Sequence, residues 1–143
     1  MSLPSPLPPP IRDLEAPALE AVAEVMFLAA FADGDFGDEE RVHFLKSIES
    51  LTDRSLSGDT LDHLVTRITG ELQAQGRPAR LASVAQRLQD PGARKAALAL
   101  AIQLTAADGI IRTTERELIL EAADALEIPR DVAADLVAAL APK

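Results

Sequence analysis

Acidic side chains cluster in a short segment that occurs twice in this chain. Residues 32–40 read Ala-Asp-Gly-Asp-Phe-Gly-Asp-Glu-Glu, and residues 107–115 read Ala-Asp-Gly-Ile-Ile-Arg-Thr-Thr-Glu. Each segment carries Asp-Gly followed, after a fixed interval, by a Glu. Carboxylates held close together are the ligands that hard divalent cations prefer, and they also attract basic partners. Both segments are therefore candidate cation or partner sites.

The two segments are parts of a longer internal repeat with an offset of 75 residues (Asp33 against Asp108). The same offset pairs Arg41 with Arg116, Leu45 with Leu120, and Leu51 with Leu126. A fixed offset is typical of one supersecondary unit used twice. Gly34 and Gly109 can supply the left-handed residue that ends a helix. Each segment is therefore predicted to be a corner between two helices, within repeats at about 17–73 and 91–141.

The doubled pattern Ala-Asp-Gly-x-(apolar)-x-x-x-Glu resembles the TerB-like family. That family includes tellurite-resistance TerB and the N-terminal domain of a membrane-anchored J-domain co-chaperone. The resemblance covers roughly residues 16–141. It implies an all-helical fold and an acidic surface that holds a metal ion or faces a partner. The matching positions in this sequence are Asp33, Glu40, Asp108 and Glu115.

The corner spacing also matches the second half of an EF-hand loop, in which a Gly makes the turn and the last Glu is a bidentate ligand. The first half does not match, because Ala29 and Phe31 stand where acidic ligands belong. Arg112 further weakens a cation site in the second copy. The sequence therefore argues against a calcium-sensor loop. The remaining metal hypothesis is a weak divalent-cation site with the candidate ligands Asp33, Asp35, Glu40, Asp108 and Glu115.

A purely structural interpretation of the corners also stays open. The carboxylates could accept hydrogen bonds from backbone amides that the turn and the first turn of the next helix leave unpaired. Phe36 and Ile111, at matching places, could fill the core beneath each corner. The first copy, however, carries Asp38 and Glu39 in addition to the acidic residues that both copies have. This concentrates more charge there than folding requires.

Composition favours an all-α fold. The chain has 143 residues, which fits one domain, and 48% of them are hydrophobic, but aromatic residues make up only 3%. The core must therefore consist of Leu, Ala, Val and Ile, which suits close helix packing, and alternating β-branched runs are missing. About seven helices are predicted, at 17–32, 38–51, 59–73, 78–89, 91–107, from 113 or 114 to about 126, and from 129 or 130 onward.

The first and fifth predicted helices are apolar on nearly all sides, which is typical of central helices. Glu24 alone interrupts the apolar run of the first one. The predicted architecture is two helix–turn–helix halves related by a pseudo-twofold, with these helices paired at the centre. The second helix is predicted to bury Val42, Phe44, Leu45, Ile48 and Leu51. The seventh is predicted to bury Val132, Leu136, Val137 and Leu140.

The net charge and the N-terminal sequence predict the binding partners and the cellular location of the protein. Residues 1–15 form a Pro-rich arm that we expect to be flexible, before a helical domain at 16–143. The net charge of −9 opposes binding to nucleic acid or anionic membranes. Because the N-terminal sequence has no signal-peptide pattern and Cys is absent, we expect a cytoplasmic protein. We also expect a monomer or a weak dimer. Basic residues around the fourth helix either contact an acidic partner or form a solvated face: Arg77, Arg80, Arg87, Arg94 and Lys95.

These observations predict a non-catalytic helical module, and no catalytic or cofactor-binding residues are identified. The resemblance implies a role in tellurite resistance or stress response, through contacts with an unknown protein partner and a divalent cation bound at the acidic turns. The alternative is a ligand-free structural or scaffold domain whose Pro-rich arm and acidic loop bind another protein. A metal-dependent hydrolase would instead need an open cleft lined by converging acids.

Overall fold

The computed structural model describes residues 14–32, 37–51, 58–106 and 113–140, without the side chains of Glu40 and Leu51. These parts of the chain hold seven helices and no strand, which confirms the all-α prediction. The helices are α1 (Ala16–Ala30), α2 (Asp38–Leu51), α3 (Gly58–Gln75), α4 (Arg77–Arg87), α5 (Pro91–Ala106), α6 (Thr113–Ala125) and α7 (Arg130–Leu140). None of the helices described is long and apolar enough to cross a membrane.

Local signals mark two of the helix boundaries. Gly76 alone separates α3 from α4, and its φ of 86° lies in the left-handed region that favours glycine. The Asp90 Oδ2 atom accepts a hydrogen bond from the backbone N–H of Ala93 at 2.8 Å, with Pro91 as the first residue of α5. The starts of α2 and α6 differ by the 75-residue offset of the repeat. The repeat is therefore visible in helix boundaries as well as in sequence.

The helices α1 and α5 form the centre of the fold, as predicted. Their contact is the most extensive between any two of the described helices. Every residue from Ala21 to Ala29 on α1 is buried, and α5 is buried on most of its faces. The helices α4 and α6 pack against α1, whereas α7 packs against α5 and α6. Ala97 and Ala101 are fully buried on α5, so the small side chains that let helices approach closely lie in the core.

Ala101→Leu tests this close packing. Ala101 has no exposed surface, so three additional carbon atoms must displace neighbouring side chains. We expect the substitution to lower the free energy of unfolding by about 1–3 kcal/mol, the usual range for overpacking a core. Thermal and urea denaturation followed by far-ultraviolet circular dichroism would measure it. Unchanged stability would contradict the close packing of α5.

One face of α2 differs from the prediction. Val42, predicted to be buried, is 52% exposed, whereas Phe44 and Ile48 are buried. The ring centroid of Phe44 lies 5.6 Å from that of Phe27 and 5.3 Å from that of Phe31. Two residues along a helix turn the side chain by about 200°. Because the larger aromatic ring packs against α1, Val42 has to point outward.

The helix α7 is also less buried than predicted. Ala133 is its buried residue, whereas the four larger apolar side chains predicted to be inside are half-buried: Val132, Leu136, Val137 and Leu140. The reason is position, because α7 lies at the outside and packs mainly against α5 and α6. A helix that contacts the body along one side buries the middle of its apolar arc and leaves the flanks partly exposed.

An exposed ion pair connects α6 to the start of α7. Arg130 Nη2 lies 2.8 Å from Asp124 Oδ2, and the Nε–H of Arg130 donates to Asp124 Oδ1 at 3.2 Å. The hydrogen bond from Arg130 holds the pKa of the Asp124 carboxyl below its ordinary value. A lowered folded-state pKa stabilises the fold above the unfolded-state pKa, and this contribution is lost as pH falls through the folded-state value. We expect Arg130→Ala to raise the Asp124 pKa in a carboxyl NMR titration; an unchanged titration curve would contradict the pair.

Candidate functional site

The structure locates the predicted corner residues only in part. Asp33, Asp35 and Asp108 lie outside the described residues. Glu40 belongs to the first turn of α2, although its side chain is not described. Glu115 lies in the first turn of α6 and is half-buried. The structure therefore locates the backbone of both predicted glutamates but does not show whether the five candidate ligands converge.

The two glutamates occupy equivalent positions in their helices. Glu40 is the third residue of α2, and Glu115 is the third residue of α6. The start of a helix carries a partial positive charge that stabilises carboxylates, so the local fold favours acids at both positions whether or not they bind a ligand. Within the described residues, no group of three or more His, Asp or Glu side chains could hold a metal ion.

Beside the first corner, α2 presents an open and mostly apolar concavity of about 380 Å³. We define the α2 outer face as the five described residues that line it: Asp38, Glu39, Val42, His43 and Lys46. All five are exposed, and Val42 is the exposed large hydrophobic residue among those described.

A buried ion cluster, which sequence reasoning did not predict, joins α1 to α4. Glu24 is fully buried, and Arg80 on α4 is nearly so. The Nε–H of Arg80 donates to Glu24 Oε2 at 2.7 Å, and its Nη2 donates to Oε1 at 2.9 Å. Arg87 also donates from Nη2 to Glu24 Oε1. We call Glu24, Arg80 and Arg87 the ion triad; it attaches α4 to α1.

The ion triad continues toward the surface through α3. Arg80 Nη1 lies 2.8 Å from Glu71 Oε2 and donates to Gln75 Oε1 at 3.2 Å. The hydrogen bond to Glu24 raises the pKa of Arg80, and the charges of Glu24 and Glu71 add to this. Glu71 also lies near Arg67, which pairs with Glu20 on α1. Opposite charges therefore alternate across α1, α3 and α4, and no buried side-chain polar atom among the described residues lacks a partner.

The ion triad corrects the interpretation of the basic residues around α4. Arg77 pairs with Glu121 on α6 at 2.9 Å. Arg94 donates hydrogen bonds to three backbone carbonyls, those of Leu88, Ala85 and Leu126. Together with the two arginines of the ion triad, four of the five basic residues make contacts within the protein. Lys95 alone fits the predicted solvated face.

The family of the chain follows from the comparison with protein-family models. The model for tellurite resistance protein TerB matches residues 14–137. The chain belongs to the TerB family. The matched region covers the first six helices of this TerB-family chain, most of α7 and both acidic corners, so it agrees with the resemblance carried by the doubled Asp-Gly pattern. No curated protein matches the chain, and no solved structure does.

Proposed function

We propose that this TerB-family chain is a non-catalytic helical module that acts in tellurite resistance or stress response through contacts with protein partners. The observation that carries the proposal is the pair of acidic corners within the region matched by the TerB model. The contact surface we propose is the first corner together with the start of α2, where Asp38 and Glu39 are exposed. Net charge of −9 favours a partner segment with basic side chains.

A tellurite-tolerance assay tests this proposal. Cells that lack TerB function would carry either the wild-type chain or the variant Asp33→Asn/Glu40→Gln. We expect tolerance with the wild type and loss of tolerance with the variant, because removing the corner charges removes the contact surface. The matched control is Asp131→Asn/Asp135→Asn, which removes two exposed acids from α7 instead. Equal tolerance for corner variant and control would contradict a role for the corner.

We also propose that the corners bind a divalent cation. The candidate ligands are those predicted from the sequence: Asp33, Asp35, Glu40, Asp108 and Glu115. The proposal rests on the doubled Asp-Gly pattern, which lies within the region matched by the TerB model. A bound cation would neutralise the clustered carboxylates, which is a binding role and not a catalytic one.

A metal titration separates the cation hypothesis from the ligand-free scaffold. Calcium, magnesium and zinc would be titrated separately, and the melting temperature would be measured at each metal concentration. Because we expect a Kd in the millimolar range, each titration extends to about 100 times that value or to the solubility limit of the metal. A cation that binds only the folded state raises the melting temperature. We expect the rise to vanish in Asp33→Asn/Glu40→Gln and in Asp108→Asn/Glu115→Gln. If wild type shows no rise with any of the three metals, the ligand-free scaffold is the better description.

A further inference from the structure

Charge along the α2 outer face follows a simple order. Asp38 and Glu39 lie at one end, Val42 lies in the middle, and Lys46 lies at the other end. Asp38, Val42 and Lys46 are spaced by four residues, so they lie on one side of the helix. With a rise of about 1.5 Å per residue, the acidic and basic ends are each about 6 Å along the axis from Val42. The apolar residue is therefore central between opposite charges.

Such an order is complementary to itself. If two α2 helices pair antiparallel about a twofold axis through Val42, the acidic end of each meets the basic end of the other. Val42 then packs against its counterpart, and Lys46 lies opposite Asp38 and Glu39 of the second helix. An isologous contact requires this kind of pattern, in which one patch satisfies both sides. A parallel arrangement would instead place like charges together.

The side chains of this face are available for such pairing. Val42 keeps about half of its surface exposed. Among the residues the structure describes, none forms an ion pair with Asp38, Glu39 or Lys46. Four arginines, by contrast, have carboxylate or carbonyl partners: Arg41, Arg77, Arg80 and Arg94. Lys46 is thus an exposed cation in a chain with a net charge of −9, held beside an exposed apolar residue.

We propose that the α2 outer face is the surface through which two copies of this chain associate as an antiparallel, twofold-symmetric dimer. The partner is a second copy of this chain, because the order of charges along the face is complementary to the same order running in the opposite direction. The dimer is weak, since stable interfaces bury about 1,200–2,000 Å² and one exposed helix face supplies less. Repulsion between two acidic chains weakens it further, so the ion pairs of Lys46 determine whether it forms.

The test is sedimentation equilibrium over a concentration series from about 10 μM to about 1 mM, a range that reaches weak associations. Wild type is expected to dimerise within it. Lys46→Glu is expected to weaken association at least about tenfold, because two ion pairs are lost and replaced by repulsion. The matched control is Lys95→Glu, which makes the same charge change at an exposed site on α5 and is expected to leave association unchanged.

Mixing two charge-reversed variants tests whether the charges of the α2 outer face drive the association. Lys46→Glu carries only acids on the face, and Asp38→Lys/Glu39→Lys carries only bases, so neither pairs with itself. Mixed at equal concentration they are expected to form a heterodimer, since each acidic end then meets a basic end. Equal weakening by Lys46→Glu and Lys95→Glu would overturn the proposal. So would a wild type that stays monomeric throughout the series, or a mixture that does not associate.

Discussion

Glu24→Gln is expected to lower the free energy of unfolding by about 3–5 kcal/mol, the range for breaking a buried charge pair by removing one partner. The neutral amide keeps the size of Glu24 but leaves Arg80 and Arg87 without the carboxylate that both contact. Its NH₂ group also adds donors where two guanidinium groups already donate. Urea denaturation followed by far-ultraviolet circular dichroism measures the change.

The matched control is Glu20→Gln, one helical turn away on α1. Glu20 pairs with Arg67, whose side chain is 53% exposed, so the pair is solvated and its loss is expected to cost at most about 1 kcal/mol. Equal effects of the two substitutions would contradict a special role for the buried position.

Replacing all three residues of the ion triad separates the cost of an unpaired buried charge from the contribution of the intact triad to stability. Glu24→Leu/Arg80→Met/Arg87→Met removes the whole ion triad and substitutes apolar side chains. Replacing a buried ion network in this way is often neutral or stabilising. We expect the triple variant to be more stable than Glu24→Gln. If it is equally unstable, the triad contributes more through its hydrogen bonds than the desolvation argument allows.

Phe44→Ala is expected to lower the free energy of unfolding by about 3–5 kcal/mol, the usual loss when a buried Phe is truncated. Phe44 is 2% exposed and packs against the rings of Phe27 and Phe31. The substitution would therefore leave a cavity at the contact between α1 and α2. Chemical denaturation of purified protein would give the difference directly.

Val42→Ala, two residues earlier on α2, is the natural comparison. Because Val42 is about half exposed, its truncation is expected to change stability by no more than about 0.5 kcal/mol. The two substitutions together determine which face of α2 is buried. A large loss for Val42→Ala with a small loss for Phe44→Ala would contradict the structure.

Much of the fold could be predicted because its signals are local. An apolar run on all sides identifies α1 and α5 as central, since the pattern is complete within about four turns of helix. Gly76 and the Asp90–Pro91 pair mark boundaries through their own backbone preferences. Such signals depend on neighbouring residues and so can be read from one sequence.

The exposure of single residues was harder to predict because it depends on packing between distant segments. In α2, Val42 and Phe44 both fit an apolar stripe, and only the aromatic contacts with α1 decide between them. Glu24 looked like an isolated interruption of an apolar helix. Its partners are 56 and 63 residues away in the chain, which no local pattern reveals. One signal was available in the sequence. Burying a lone carboxylate is costly, so Glu24 in a buried helix requires a cationic partner.

The candidate site was predicted at the level of sequence position only. The repeat correctly placed Glu40 and Glu115 at equivalent helix starts. Whether the acids of the two corners converge depends on the geometry of residues outside the described ranges. The α2 outer face was missed because Val42 had been assigned to the core, so its charges were not considered together with an apolar centre.

The packing of Phe44 against Phe27 and Phe31 has a practical consequence for spectroscopy. The chain has four Phe and neither Trp nor Tyr, so three of its four chromophores in the near-ultraviolet lie within about 6 Å of one another. The asymmetric packing of these rings should make this trio the main source of near-ultraviolet dichroism. That weak but uncluttered signal would monitor the junction of the first two helices without any introduced label.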